Sequence, residues 1–261
     1  MTPPEIALTA PAGPDGAPLV VLGPSLGTST ILWEDAVPFL RTRYRTAAWD
    51  LPGHGASAAA RAGFTVAELA DAVADAVRAS GETRMLYAGV SLGGATGLEL
   101  ALRHPDLVAA AAIVASGAQL GSPEDWHARA AQVRAQSTSS LLIGSAERWF
   151  APGSIERHPE LSGRLLHALQ DADDESYALC CEALAAYDIR DRLGEIEPPV
   201  RGVWGRFDRV APESKATEIA TGVRHGSSAV IEDAAHLPPA EQPEATASAL
   251  LDFFRAEEGA R

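Results

Sequence analysis

The sequence predicts an α/β domain: a mostly parallel central sheet flanked by helices, with a helical cap inserted into it. Three observations predict this. Short runs that are apolar on both faces alternate with longer segments of helical spacing. The alternation stops between residues 120 and 190, where only helical patterns occur. The chain of 261 residues, 46% hydrophobic, is long enough to bury a sizeable core in one domain.

The expected strands, in order, are Leu19 to Leu22, Thr46 to Trp49, Met85 to Ala88, Ala109 to Ala115, Val200 to Trp204 and Ser228 to Ile231. Apolar residues on both faces suit strands covered by helices on both sides. Between them "TVAELADAVADAVRA", Thr65 to Ala79, carries apolar residues at helical spacing, and Gln242 to Phe254 does so near the C-terminus. Within the insertion, "SPEDWHARAAQVRAQ", "ELSGRLLHALQ" and "DDESYALCCEALAAYD" read as helices, the first capped by Ser122 ahead of a proline and two acids. Pro198 and Pro199 mark the return to the sheet. The core is thus expected at 1–119 and 191–261, with the cap at 120–190.

Composition narrows the function classes. A formal net charge of −14 leaves no basic field for nucleic acid or an anionic membrane, so neither is an expected partner. Cys180 and Cys181 are adjacent, and neighbouring cysteines bridge only with strain, which fits a reducing, cytoplasmic setting. No apolar run reaches the ~20 residues a membrane helix requires, and the N-terminus lacks a basic start followed by an apolar core. No GxGxxG or Walker segment appears, and His127, His158, His167 and His225 have no metal-ligand spacing, so no metal or cofactor is expected.

The chemistry concentrates in "MLYAGVSLGGATGLELAL", Met85 to Leu102. A serine hydroxyl needs a base to take its proton and fixed donors for the oxyanion it creates. A sharp strand-to-helix turn lifts Ser91 above the sheet, and glycines at 89 and 93 relieve the crowding such a turn creates. The base and its orienting acid are expected later, on loops that follow strands, in the order acid then histidine. Asp208 in "GRFDRV" and His236 in "EDAAHLPPAEQP" meet this, with Asp233 as the rival acid. The expected oxyanion donors are the backbone amides of Leu92, after the elbow, and Leu26, in the loop after the first strand. His104 is expected to end a helix, and His54, in a glycine-rich loop, to serve packing or turn chemistry.

Taken together, "PSLGTST", "WDLPGHGAS", "GVSLGGATG", "ERWF", "RHPE", "YALCCEALAAYDIR", "GRFDRV" and "DAAHLPPAEQPEA" resemble the 3-oxoadipate enol-lactonases of the α/β-hydrolase superfamily. The resemblance implies the α/β-hydrolase fold, a triad of Ser91, Asp208 and His236, and opening of a small enol-lactone in the β-ketoadipate pathway of aromatic degradation. Pro24 and Ser25 stand where many members of the superfamily carry His-Gly. The implied substrate bears a carboxylate, and the expected partner for it is Arg134, which follows the apolar face of its helix, with Arg148 as the alternative. Trp149 is expected to roof the substrate ring. Two alternatives stand beside this reading: a serine hydrolase of another small ester, lactone or ring-cleavage product, and a binding protein that has kept a hydrolase pocket. A dehalogenase or epoxide hydrolase would place an aspartate at the elbow.

Overall fold

The computed structural model describes residues 4–259. Seven strands form one sheet: β1 (Ala7–Leu8), β2 (Leu19–Gly23), β3 (Arg45–Asp50), β4 (Met85–Val90), β5 (Val108–Val114), β6 (Val200–Gly205) and β7 (Gly226–Ile231). Their order across the sheet is β1-β3-β2-β4-β5-β6-β7. Every pairing is parallel except that of β1 with β3. The six longer strands match the six apolar runs of the sequence, except that β5 stops at Val114, one residue before the expected Ala115. β1 escaped that reading because two residues cannot display a period.

The path of the chain places the site. From β2 it passes to β3 on one side, then crosses to β4 on the other side of β2, so the order reverses between β2 and β4. In open α/β sheets such a reversal leaves a crevice beyond the carboxyl ends of the strands. Here those ends are Gly23 and Val90, and Gly23 pairs with Gly89 across the ladder. The loops that follow β2 and β4 are therefore neighbours at that edge.

Helices cover both faces, and β4 is buried along its whole length. The Val66–Ala79 helix starts at a capping box in which the Thr65 hydroxyl accepts from the Glu68 amide and Glu68 reaches back to the Thr65 amide. Between β5 and β6 lie four longer helices, Pro123–Gln136, Leu142–Trp149, Pro159–Asp171 and Asp174–Ala185, with no strand among the described residues of that stretch. The first and last of these pack along each other. Both start on a side-chain cap: Ser122 accepts from the Asp125 amide and Asp173 from the Ser176 amide. Cys180 and Cys181 are both buried free thiols. No helix among the described residues is long and apolar enough to cross a membrane.

Candidate active site

Ser91 sits between β4 and the Leu92–Arg103 helix at φ 55° and ψ −115°, a backbone conformation that an L residue holds only when its surroundings enforce it. The enforcement can be traced bond by bond. The Ser91 amide donates to Val114 O on β5, and its carbonyl accepts both the Ser116 hydroxyl at 2.6 Å and the Ala95 amide at 2.9 Å. The buried Tyr87 hydroxyl donates to Gly93 O at 2.7 Å. A Cβ on Gly89 would stand 2.2 Å from Gly93 O, and one on Gly93 would stand 2.5 Å from Pro24 O. Both obstacles are backbone atoms, which no rotamer change can clear. The glycines at these two positions therefore answer to crowding at the turn.

The loop after β2 is joined to the elbow. The Gly93 amide donates to Pro24 O at 2.9 Å. Ser25 and Thr28 close a small turn, with the Thr28 hydroxyl accepting from the Ser25 amide and donating to its carbonyl. The Gly27 amide donates to Nε2 of His54 at 3.2 Å, while Nδ1 of His54 lies 2.9 Å from Pro52 O and acts as the donor there. Burial pushes the His54 imidazole down to about 4, so the ring is neutral at pH 7 and keeps an acceptor for Gly27. The proline at 24 thus fits a loop that uses its carbonyl and has no need of its amide. Among the described residues, the amides of Leu26 and Leu92 have no hydrogen-bond partner, and both residues border Ser91 or its loop.

Asp208 and His236 come together from the loops after β6 and β7. Asp208 Oδ2 lies 3.0 Å from His236 Nδ1, and both side chains are buried. The other carboxylate oxygen accepts the amides of Val210 and Ala211 at 2.7 and 3.1 Å. Burial by itself would raise the Asp208 carboxyl, but the imidazole and the two amides outweigh it and hold the group below the usual carboxylate range. An ionised Asp208 accepts only, so Nδ1 of His236 carries the proton and Nε2 is the basic nitrogen. Asp233, the rival acid, takes no part in this pair: it is exposed, at φ 55°, and its carbonyl accepts from Gln242.

Ser91 and His236 open onto one cavity of about 500 Å³, roofed by the helical insertion. Ser25 and Leu26 form its floor, and Trp149, Tyr177, Arg129 and Arg148 face it from the insertion. Trp149, expected to roof a substrate ring, lines this cavity. Arg134 does not. Its guanidinium holds Glu175 through two bonds of 2.8 and 2.6 Å and Glu182 through one of 2.5 Å, on the outer surface between the Pro123–Gln136 and Asp174–Ala185 helices. Two carboxylates engage it through three of its five N–H donors, and it does not line the cavity, so the structure does not bring it to where a substrate carboxylate would lie. Arg129, five residues earlier on the same helix, lines the cavity instead. The available signal was its spacing, three residues after Trp126, over whose ring its guanidinium sits at 5.0 Å.

The sequence reading also missed Glu241. This buried carboxylate accepts the amides on both sides of His236, Ala235 at 2.7 Å and Leu237 at 3.4 Å, through Oε1. Through Oε2 it accepts the Ala151 amide at 2.6 Å. The His236 amide itself donates to Trp149 O at 3.1 Å. One glutamate thus ties the histidine loop to the segment that carries Trp149. A glutamate after two prolines in "HLPPAEQP" carries no local mark that separates it from a solvated turn.

Comparison with known proteins agrees with this architecture. The family model described as the alpha/beta hydrolase fold matches residues 18–243. 3-Oxoadipate enol-lactonase 2 of Acinetobacter baylyi is 32% identical over 246 residues, covering 94% of this chain and 92% of that protein. A pimeloyl-[acyl-carrier protein] methyl ester esterase of Neisseria meningitidis is 30% identical over 92% of this chain and 94% of its own length. Among solved structures, the enol-lactonase from Burkholderia xenovorans LB400 superposes with a TM-score of 0.91 at 30% identity, covering 96% of each chain.

Proposed function

This chain belongs to the alpha/beta hydrolase family and is a carboxylic ester hydrolase, and from that premise we propose that its substrate is 3-oxoadipate enol-lactone, which it opens to 3-oxoadipate through an acyl-enzyme. The observation that carries the reading is a strained Ser91 beside two unbonded amides, sharing one cavity with a buried His236–Asp208 pair. Enol-lactonases among the relatives and the solved structures support the choice of substrate.

In the proposed mechanism His236 Nε2 takes the Ser91 proton as the hydroxyl attacks the lactone carbonyl. The amides of Leu26 and Leu92 receive the oxyanion; one such donor contributes about 3 to 4 kcal/mol to lowering a barrier of this type. The ring C–O bond then breaks, and the departing enolate oxygen takes the proton from His236. Tautomerisation of that enol to a ketone draws the step forward. Water, deprotonated by His236, attacks the acyl-enzyme, and the serine leaves with its proton restored. Asp208 holds the imidazole in the tautomer each transfer requires.

The matches to pimeloyl-[acyl-carrier protein] methyl ester esterases favour a second reading, hydrolysis of a linear methyl ester. The test is to follow the loss of enol-lactone absorbance with purified wild-type protein and Ser91→Ala, beside a panel of short acyl esters and pimelate methyl ester. Turnover of the lactone well above the linear esters, abolished in Ser91→Ala, is the expected result. Preference for the methyl ester would transfer the assignment to the second reading.

A further inference from the structure

We propose that Thr28 and His54 are positioning residues for the reaction: together they aim the Leu26 amide at the oxyanion that forms over Ser91. The inference rests on Ser91 being the reacting group of an ester hydrolase, and not on which ester or lactone is opened. A trans peptide is planar, with its N–H and C=O pointing opposite ways, so a bond that pins one of them aims the other. Two peptides meet at Leu26, and each is pinned. In the first, Ser25 O accepts the Thr28 hydroxyl at 2.8 Å and the Thr28 amide at 3.0 Å, which turns the Leu26 N–H the other way. In the second, the Gly27 N–H donates to His54 Nε2 at 3.2 Å. Leu26 lines the cavity with Ser91, and its own amide has no partner among the described residues.

The surroundings hold both side chains in place. Thr28 is fully buried, and its hydroxyl also accepts the Ser25 amide at 3.0 Å, so it is donor and acceptor to the same residue. Its own amide closes the turn from Ser25 to Thr28, in which Gly27 at φ 82° takes the third place, where such a turn favours glycine. His54 is buried, with Nδ1 2.9 Å from Pro52 O and its ring stacked on Tyr177 of the insertion at 6.0 Å and 26°. With Nδ1 as the donor, Nε2 is left as an acceptor for Gly27. A Cβ on Gly27 would stand 2.7 Å from Leu169 Cδ1 and 3.3 Å from Tyr177 Cε2, so the insertion packs against the same turn. Closing a turn takes the single bond from the Thr28 amide. Here the Thr28 hydroxyl adds two more, and a histidine 27 positions away adds another, all around the residue that borders the nucleophile.

The test uses 4-nitrophenyl acetate, a short ester whose turnover does not depend on the lactone being the substrate, with wild type, Thr28→Val, His54→Phe, their double variant, Thr28→Ser and His54→Gln. Valine keeps the shape of threonine without the hydroxyl, and phenylalanine keeps a ring against Tyr177 without the acceptor. Each should lower kcat about 10²-fold, the cost of misplacing a catalytic group by about 1 Å. Acylation and deacylation both pass through an oxyanion, so KM should stay within about twofold. Thr28→Ser and His54→Gln, which return a polar atom to the same place, should recover most of the loss. Because both side chains act through one amide, the double variant should lose no more than that donor is worth, about 10²- to 10³-fold, and not the roughly 10⁴-fold of independent effects. A second readout is inhibition by phenylboronic acid: Ser91 Oγ adds to boron, its proton passes to His236, and a boron hydroxyl takes the oxyanion position. Its inhibition constant should rise in the variants in step with the fall in kcat. A purely structural role would lower the melting temperature and leave kcat and boronate affinity at wild-type values, and that result on an active wild type overturns the proposal alone. A wild type that neither hydrolyses the ester nor binds the boronate sinks the hydrolase reading and the proposal with it.

Discussion

The Gly93 amide donates to Pro24 O at 2.9 Å, and this bond holds the loop after β2 against the first turn of the Leu92–Arg103 helix. It links the two segments that carry the Leu26 and Leu92 amides. A Cβ at position 93 would meet Pro24 O at 2.5 Å and Gly23 C at 2.8 Å. Gly93→Ala must therefore part the two loops and misplace one oxyanion donor. The expected result is a fall in kcat on the order of 10² to 10³ in a protein that still folds, read from steady-state kinetics beside a circular dichroism spectrum. Full activity would show that the spacing is immaterial.

Asp208→Asn replaces the acceptor that keeps the proton on His236 Nδ1 while leaving the volume of the site unchanged. The amide stabilises the opposite tautomer, in which Nε2 carries the proton and cannot accept one from Ser91. The expected loss is on the order of 10⁴ in kcat, with the melting temperature close to wild type. The matching substitution Asp233→Asn should leave kcat within about twofold, because surface changes away from specific contacts are near neutral and that side chain stands outside the buried pair.

Glu241 acts on the reaction only through the backbone around His236. Glu241→Ala would leave three buried amides unpaired, at about 1 kcal/mol or more each, so a stability loss of roughly 3 kcal/mol in urea unfolding is expected. Glu241→Gln is the more telling variant. It keeps one acceptor oxygen but turns an NH2 toward either Ala151 or the Ala235–Leu237 pair. A misplaced histidine lowers kcat and leaves binding intact, so kcat should drop about tenfold with KM little changed. A rise in KM at constant kcat would assign Glu241 to the shape of the cavity instead.

The parts of the molecule that the sequence displayed are those built by local repetition or by chain order. Runs such as "LVVLG" and "MLYAGV" are apolar on both faces because helices cover both sides of the sheet, and that pattern survives without knowledge of neighbours. The placement of Ser91, Asp208 and His236 follows from the same runs, since Ser91 ends β4 and the other two lie in the loops that follow β6 and β7. Arg134 and Arg129 could not be told apart in this way. Both lie on one helix, and what separates them is that Glu175 and Glu182, some 40 to 50 residues away, claim one and leave the other. Glu241 was hidden for a related reason: its partners are backbone amides, which no sequence pattern marks.

His54 makes stability depend on pH in a definite direction. Its imidazole is buried, accepts the Gly27 amide at Nε2 and is held down to about 4 by burial. In the unfolded chain the same ring takes its proton near 6.5. Between these values the unfolded state binds more protons, so stability falls as the pH drops from about 6.5 towards 4 and is flat above that window. The whole interval corresponds to roughly 3 kcal/mol. Urea midpoints of wild type and His54→Asn at pH 7, 5.5 and 4.5 isolate this contribution, because the carboxylates titrate alike in both proteins. The wild-type midpoint should fall more steeply than that of the variant across the series. Parallel curves would mean that the ring accepts a proton without giving up its bond to Gly27, which a doubly protonated imidazole, a donor at both nitrogens, has no means to do.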